Sequence, residues 1–254
     1  LQSFMMSLSQ DFGSLPVTFA EGVPVKYSRP ARALYSWLKW ENDDHPQNLL
    51  VEMIADGLLR REPDDELPGN RALVQTLRKL RIISGLERTG QILRDRRSDL
   101  LEAQQSGSSL ADAKSAVHDQ DYRSSRDEIR CLESLVSIVD RLGVCSNLAG
   151  SQGAHGYLAG AVTFLEMCAR SADEMDNYAL VTLLENLRQM REAIEPGAVL
   201  HDFDFPRWIS GLTQKLRIMG SGPRPGMLHV DNIHSGGHTG RAHTFIVGMD
   251  DDRF

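Results

Sequence analysis

The sequence predicts a mainly α-helical protein with a small α/β part, and three observations carry that prediction. Strand-like apolar segments lie near the two ends of the chain, in residues 15–20 and 226–254. Between residues 70 and 219, apolar side chains recur at helical spacing almost throughout. Breaks that contain proline and glycine, at 61–69 and 220–226, separate these regions. A helical block inserted into an α/β domain explains this order, because the two flanks can then be neighbours in one sheet.

The amino-terminal flank contains a strand, a turn and two helices in this interpretation. Residues 15–20 alternate between apolar and polar positions as a half-buried strand does, and residues 21–24 supply a turn. Ser28 is a good N-cap residue, and Pro30 fits the first helical turn, so a helix is predicted from there through Trp40. A second helix is predicted over Gln47–Ala55.

The middle of the chain is predicted to be a series of helices joined by short connections. In residues 177–194 the apolar positions form an amphipathic stripe. Its members are Tyr178, Val181, Leu184, Leu187, Met190 and Ile194. Residues 106–109 and 143–156 are predicted to be flexible connections. The predicted helices cover residues 71–82, 86–104, 109–118, 122–142, 156–170, 177–194 and 206–219.

Composition sets wide bounds on the class of protein. A hydrophobic content of 41% and a charged content of 25% are ordinary for a globular protein. Neither an apolar run long enough to cross a bilayer nor an amino-terminal signal peptide is present, so a cytoplasmic protein without membrane contact is expected. The three cysteines are too far apart in sequence to suggest a zinc site or a disulfide framework. Because the chain starts at Leu1 and stops after an acidic turn, we expect a piece of a longer protein.

Charge gives a mixed indication about nucleic-acid binding. The net charge of −7 argues weakly against it, since duplex-binding proteins are usually basic. Residues 71–97, however, hold eight basic residues against Glu87 and Asp95. This basic block is compatible with a surface that follows DNA, and equally with a solvated helix face. The basic residues are Arg71, Arg78, Lys79, Arg81, Arg88, Arg94, Arg96 and Arg97.

The carboxy-terminal stretch has the clearest functional pattern. Met227, Leu228 and Val230 begin one strand, and residues 245–247 form an apolar run typical of a buried parallel strand. The loop between them, SGGHTGR, has three glycines that let backbone N–H groups approach a ligand, while Arg241 and the histidines supply donors and charge. These features indicate a phosphate-handling loop at the end of a strand.

The same stretch resembles motif V of superfamily I DNA helicases, the group that includes UvrD, RecB and AddB. His234, the small pair Ser235-Gly236 and the strand FIVGM match in order and spacing, and Asn232 stands where the family has Thr. Gly237 and Gly240 stand where the family has Lys and Glu, which is similar to the divergent AddB-like subunits of helicase–nuclease complexes. The segment LPVTFAEGVPVKYSRPARALYSWLKW resembles the region of the family's second RecA-like domain that follows motif IV.

This resemblance implies a fold and a function for the chain. Residues 1–60 and 226–254 would be parts of RecA-like domain 2A, a P-loop NTPase-type sheet, and residues 61–225 a helical 2B-like insertion. The whole protein would bind ATP and Mg²⁺, pair with a second helicase–nuclease subunit, and act on single-stranded DNA in double-strand-break repair. The piece itself would carry no catalytic residue and no cofactor or metal. The DNA-binding residues implied are Asn232, His234, Ser235 and Arg241.

Other interpretations of the residues stay open. His229, Asp231, His234, His238 and His243 crowd a short stretch and suit a metal-dependent hydrolase, although no known metal-hydrolase spacing is matched. The loop can also be a solvated surface loop, and the chain a helical protein-interaction or scaffold module. An ATPase acting alone is excluded because no phosphate-loop motif occurs. No spaced array of nuclease carboxylates is found either. The cysteines Cys131 and Cys168 and the tryptophans Trp37, Trp40 and Trp208 are expected to be packing residues.

Overall fold

The computed structural model is mainly helical, with a small part made of short strands, as the sequence predicts. It describes residues 17–61, 68–108, 116–150, 153–195, 204–232 and 243–245. The chain forms two compact units. The helical unit spans residues 28–210, and the α/β unit combines residues up to 27 with those from 211 onward. The expected parent domains at 1–60, 61–225 and 226–254 stay a prediction.

The helical unit contains seven of the α-helices in the described residues, and an eighth begins in it. The starts of two helices, at Arg29 and at Gln47, are predicted closely from sequence. The first follows the cap residue Ser28, and the second follows Pro46. The helices are α1 (Arg29–Asn42), α2 (Gln47–Ala55), α3 (Asn70–Lys79), α4 (Leu86–Ser108), α5 (Ala116–Ala149), α6 (Gly153–Met167), α7 (Glu174–Ala193) and α8 (Phe205–Lys215).

The α/β unit contains two two-stranded sheets. Strand β1 (Val17–Phe19) pairs in parallel with β4 (Leu228–Val230). Strand β2 (Val23–Pro24) pairs antiparallel with β3 (Arg217–Ile218), and a 3₁₀ turn over Val25–Tyr27 follows β2. Both β2 and β3 were missed by sequence reasoning, since residues 21–24 are predicted to be a turn and residues 206–219 a single helix.

Helix α1 begins at its predicted cap and supplies the centre of the core. The Ser28 hydroxyl oxygen accepts a hydrogen bond from the backbone N–H of Ala31 at 3.3 Å. Two turns later Trp37 is fully buried and stacks on Phe164 of α6, with ring centroids 4.9 Å apart. Trp40 is also buried. The prediction that Trp37 and Trp40 are packing residues is therefore confirmed.

A buried carboxylate joins the start of α1 to the start of α7. One oxygen of Asp176, which has no exposed side-chain surface, accepts from the backbone N–H of Arg29 at 2.8 Å. The other oxygen accepts from the Arg29 guanidinium at 2.8 Å and from the backbone N–H of Ala172 at 3.1 Å. Asp173, the N-cap of α7, also pairs with Arg29 at 3.0 Å. The three bonds to Asp176 satisfy a charge that would otherwise be costly to bury.

Helices α5 and α6 approach each other at backbone distance. A Cβ placed on Gly160 would lie 2.7 Å from the carbonyl oxygen of Cys145 and 3.0 Å from Ala149. This position therefore has room for glycine alone. Nearby, the buried thiols of Cys145 and Cys168 lie 3.9 Å apart. Cys131 is buried as well, so the prediction of core cysteines is confirmed.

Several features of the helical unit differ from expectation. Helix α4 continues to Ser108, into the connection predicted at 106–109, and α5 runs without a break across the gap predicted between residues 118 and 122. Helix α5 continues to Ala149, so most of the connection predicted at 143–156 is helical. Helix α7 buries Asp176, Ala179, Leu183 and Leu187, whereas two members of the predicted stripe, Tyr178 and Val181, are more than half exposed. The reason is that Asp176, a charged residue, lies on the buried face and rotates the helix away from its most apolar stripe.

Replacing Gly160 with alanine is expected to destabilise the helical unit by about 1–2 kcal/mol, because the new methyl group meets backbone atoms that cannot move aside. Urea unfolding measures the change. Gly143→Ala is the matched control, since its Cβ would meet only a Leu86 methyl at 3.8 Å. The control variant should be more stable than the wild type by about 0.5–1 kcal/mol, because alanine has a higher helix propensity than glycine. Equal stabilisation of both variants would contradict the close approach of α5 and α6.

Candidate nucleic-acid interface

The two ends of the described chain meet in the parallel pair β1–β4. Thr18 lies opposite His229 and Phe19 opposite Val230, and the backbone N–H of Ala20 donates to the Val230 carbonyl at 2.9 Å. The neighbouring flanks expected from the sequence are thus present. Because the strands are parallel, their carboxyl ends share one edge, and such edges commonly bind ligands in α/β proteins. We call this edge, with Glu21 after β1 and Asn232 after β4, the carboxyl edge.

The side chains of the carboxyl edge form a chain of polar contacts. The Asn232 amide donates to one Glu21 oxygen at 2.6 Å, and its backbone N–H donates to Asp231 at 2.8 Å. The other Glu21 oxygen lies 3.7 Å from a guanidinium nitrogen of Arg217. Glu21, Asn232 and Arg217 are all exposed. An amide and a guanidinium, both able to donate to phosphate, are therefore held by one carboxylate at the surface.

Asn232 is the one predicted DNA-binding residue that the described part of the chain contains. His234, Ser235 and Arg241 lie outside the described residues, as does the second predicted strand apart from Phe245. Glu21 and Arg217 were missed by sequence reasoning, because Glu21 is in a predicted turn and Arg217 in a predicted helix. The turn pattern at Gly22 could have indicated the position of Glu21.

His229 has a structural role between the two strands. Its ring is 3% exposed, with Nδ1 at 2.8 Å from the Thr18 hydroxyl and Nε2 at 3.9 Å from an Asp231 oxygen. The bond to Thr18 links β1 to β4 and supports their register, while Asp231 contacts the other ring nitrogen from its own segment. Within the described residues no three His, Cys, Asp or Glu side chains form a group suited to a metal. His243 is exposed, and His238 lies outside those residues.

Gly22 determines how the chain passes from β1 to β2. Its φ is +73°, and a Cβ there would lie 2.4 Å from the carbonyl oxygen of Ile218. The turn also brings residues 220–221 beside β1, where the backbone N–H of Ser221 donates to the Phe19 carbonyl at 2.9 Å. Only glycine combines this φ with this approach, so Gly22 positions Glu21 on the carboxyl edge.

The basic block of the helical unit is partly neutralised. Arg94 pairs with Asp140, and Arg96 pairs with Glu128 at 3.0 Å. Five exposed basic residues of the block form no ion pair with any residue that the structure describes. They are Arg71, Arg78, Lys79, Arg81 and Arg88.

A further polar cluster joins α1 to α5. One oxygen of Glu41 accepts from the Ser146 hydroxyl, and the other lies 3.3 Å from Nε2 of His45. The His45 ring also contacts Trp40 edge-to-face at 4.5 Å. Because the carboxylate stands between the serine and the histidine, His45 is not placed to take a proton from Ser146. The arrangement therefore does not support serine-nucleophile chemistry.

Comparison with known proteins finds no matching family model, no matching curated protein and no matching solved structure. In the described part of the chain, no helix has the length and apolar character that a membrane span requires.

We expect the stability of the helical unit to depend on the charge of His45. The Glu41 carboxylate, 3.3 Å from Nε2, raises the pKa of His45 above its usual value of 6.5, with Asp44 adding a smaller effect. The ion pair of charged His45 with Glu41 stabilises the folded state fully below pH 6.5, the pKa of histidine in the unfolded chain. This stabilisation is lost as pH rises through the higher pKa of His45 in the folded state.

Urea unfolding from about pH 5 to about pH 8 measures this dependence. The difference in unfolding free energy between the wild type and His45→Gln should shrink as pH rises. Glu41→Gln should remove the same pH-dependent component, since it removes the partner. A difference that stays constant across this range would contradict the ion pair.

Proposed function

We propose that this chain is part of a UvrD- or AddB-like subunit of an ATP-dependent helicase–nuclease, and that its carboxyl edge contacts single-stranded DNA. One observation supports this proposal above the others. The two flanks that resemble the family, which lie about 210 residues apart, pair in parallel as β1 and β4. A single RecA-like sheet interrupted by a helical insertion requires such pairing.

The proposal gives each part of the chain a place in a larger protein. Residues 1–60 and 226–254 belong to RecA-like domain 2A, and residues 61–225 form the 2B-like insertion. ATP and Mg²⁺ bind elsewhere in the parent protein, which works in the cytoplasm with a second helicase–nuclease subunit in double-strand-break repair. This piece binds and positions the single-stranded DNA and has no catalytic residue.

The carboxyl edge suits a phosphate backbone once Glu21 is displaced. Asn232 and Arg217 are donors for phosphate oxygens, and backbone contacts of this kind position a strand without reading its sequence. In the free protein Glu21 occupies both donors, at 2.6 Å and 3.7 Å. Glu21 therefore competes with a phosphate for the same groups. His234, Ser235 and Arg241 follow Asn232 in the proposed contact surface.

Glu21→Gln is expected to strengthen the binding of the full chain to a labelled oligothymidylate, because it removes the competing negative charge. Asn232→Ala and His234→Ala should weaken it. Fluorescence anisotropy titrations at several salt concentrations provide the affinities.

Glu185→Gln is the matched control for Glu21→Gln, since Glu185 is an exposed residue of α7 and the change in net charge is equal. It should leave the affinity near that of the wild type. Equal strengthening by both variants would assign the effect to net charge and would reject the carboxyl edge as the contact.

The purified chain is expected to hydrolyse no ATP, with or without single-stranded DNA, because its sequence has no phosphate-loop lysine. A phosphate-release assay at increasing oligothymidylate concentration tests this. DNA-stimulated turnover would contradict the non-catalytic assignment.

A helical protein-interaction module is the second candidate, and the exposed face of α7 favours it. Tyr178 and Val181 are 52% and 54% exposed, one turn apart. Under this alternative the chain shows no salt-dependent binding to DNA. The same titrations therefore distinguish the two candidates.

A further inference from the structure

The connection between α3 and α4 displays a cluster of cations. Arg78 and Lys79 end α3, Arg81 follows two residues later, and Arg88 lies in the first turns of α4. All four are exposed and form no ion pair with any residue in the described ranges. Together with Ile83, which is 77% exposed, they are called the basic turn. Two acidic residues lie nearby, Glu87 in α4 and Asp44 in the connection between α1 and α2.

The basic turn has a fixed backbone. The side-chain amide of Gln47 donates to the Leu77 carbonyl at 2.5 Å, and the backbone N–H of Gln47 donates to the Ile83 carbonyl at 3.2 Å. From the same side, the backbone N–H of Gly85 donates to the Asp44 carbonyl at 3.1 Å. The cations are thus attached to a rigid support, which lowers the entropic cost of binding a partner.

Arg81 is the least expected member of the basic turn. Its φ of +47° lies in the left-handed region, where glycine or asparagine is the ordinary choice. Arg78 and Lys79 can be explained as cations at a helix C-terminus. That explanation does not reach Arg81, which follows the helix and has no carboxylate partner among the described residues. An arginine in this conformation bears backbone strain that glycine would avoid, so its side chain is the feature for which we seek a function.

We propose that the basic turn is a second binding surface for single-stranded nucleic acid, in which Arg78, Lys79, Arg81 and Arg88 contact phosphates and Ile83 contacts an unpaired base. This deepens the proposed function, on which it rests, by naming a contact in the helical unit. The positive charge of these four side chains favours a polyanionic partner. The exposed Ile83 among the cations favours a single strand, because its bases are accessible to apolar side chains, whereas a duplex presents phosphates at its surface.

The neutralised arginines provide a matched test. Arg78→Gln/Lys79→Gln and Arg94→Gln/Arg96→Gln remove the same charge from the same block, but Arg94 and Arg96 are paired with Asp140 and Glu128. With an oligothymidylate probe, the first variant should bind on the order of tenfold more weakly at about 0.1 M salt. Its plot of log K against log salt should be shallower by roughly 1.4, for two lost phosphate contacts. The second variant should bind almost as the wild type does.

Arg81→Gly separates binding from folding. Glycine relieves the left-handed conformation, so the thermal midpoint should rise while the affinity falls. Loss of affinity caused by misfolding would instead come with a lower midpoint and would count against the proposal. Ile83→Ser should weaken oligothymidylate binding without changing the salt slope.

Each remaining outcome decides between the proposals. If the wild type binds and both double variants bind alike, the basic turn is rejected, while the carboxyl edge survives as the contact. If the wild type does not bind oligothymidylate, both proposals are rejected. If polyglutamate or duplex DNA competes as well as the single strand does, the surface is a general polyanion site and the single-strand assignment is rejected.

Discussion

The α/β unit depends on one long-range pairing, between the three residues of β1 and the three of β4. Thr18 and His229 meet across 211 positions of sequence through a hydrogen bond of 2.8 Å. Such short strands are not stable alone, so the pair needs the contacts around it. Residues 220–221 beside Phe19, and the β2–β3 ladder after Gly22, supply those contacts in the structure. Everything placed on the carboxyl edge, including Glu21 and Asn232, is positioned by this pairing.

The helical unit is organised by satisfied polar groups as much as by apolar packing. Asp176 and Glu41 are both largely withdrawn from water, and each has one partner in another helix and one in a connection between helices. A carboxylate in that position restricts its neighbours because any other arrangement leaves a charge unpaired. This restriction explains why α7 presents Tyr178 and Val181 outward. The burial of one charged residue determines which apolar residues stay exposed.

Local signals made part of the fold predictable from sequence. Ser28 with Pro30 marks the start of α1, and the start of α2 at Gln47 follows Pro46, since caps and prolines act within a few residues. The ladder of β2 and β3 has only two residues in each strand, too few for any periodicity. Glu41, His45 and Ser146 come together across 105 positions, which no short pattern encodes. At the carboxyl edge, Asn232 was singled out by a sequence motif. Its partner Glu21 was not, because the two residues meet only in the folded chain.

The ion pair and hydrogen bonds between Arg29 and Asp176 determine where the protein can be divided into smaller fragments. Arg29 gives Asp176 two of its hydrogen bonds, one from the backbone and one from the guanidinium. An excised helical piece must therefore retain Ser28 and Arg29 at its amino end. A piece beginning at residue 61 would lose α1 and α2, and would open the site of Asp176 to water.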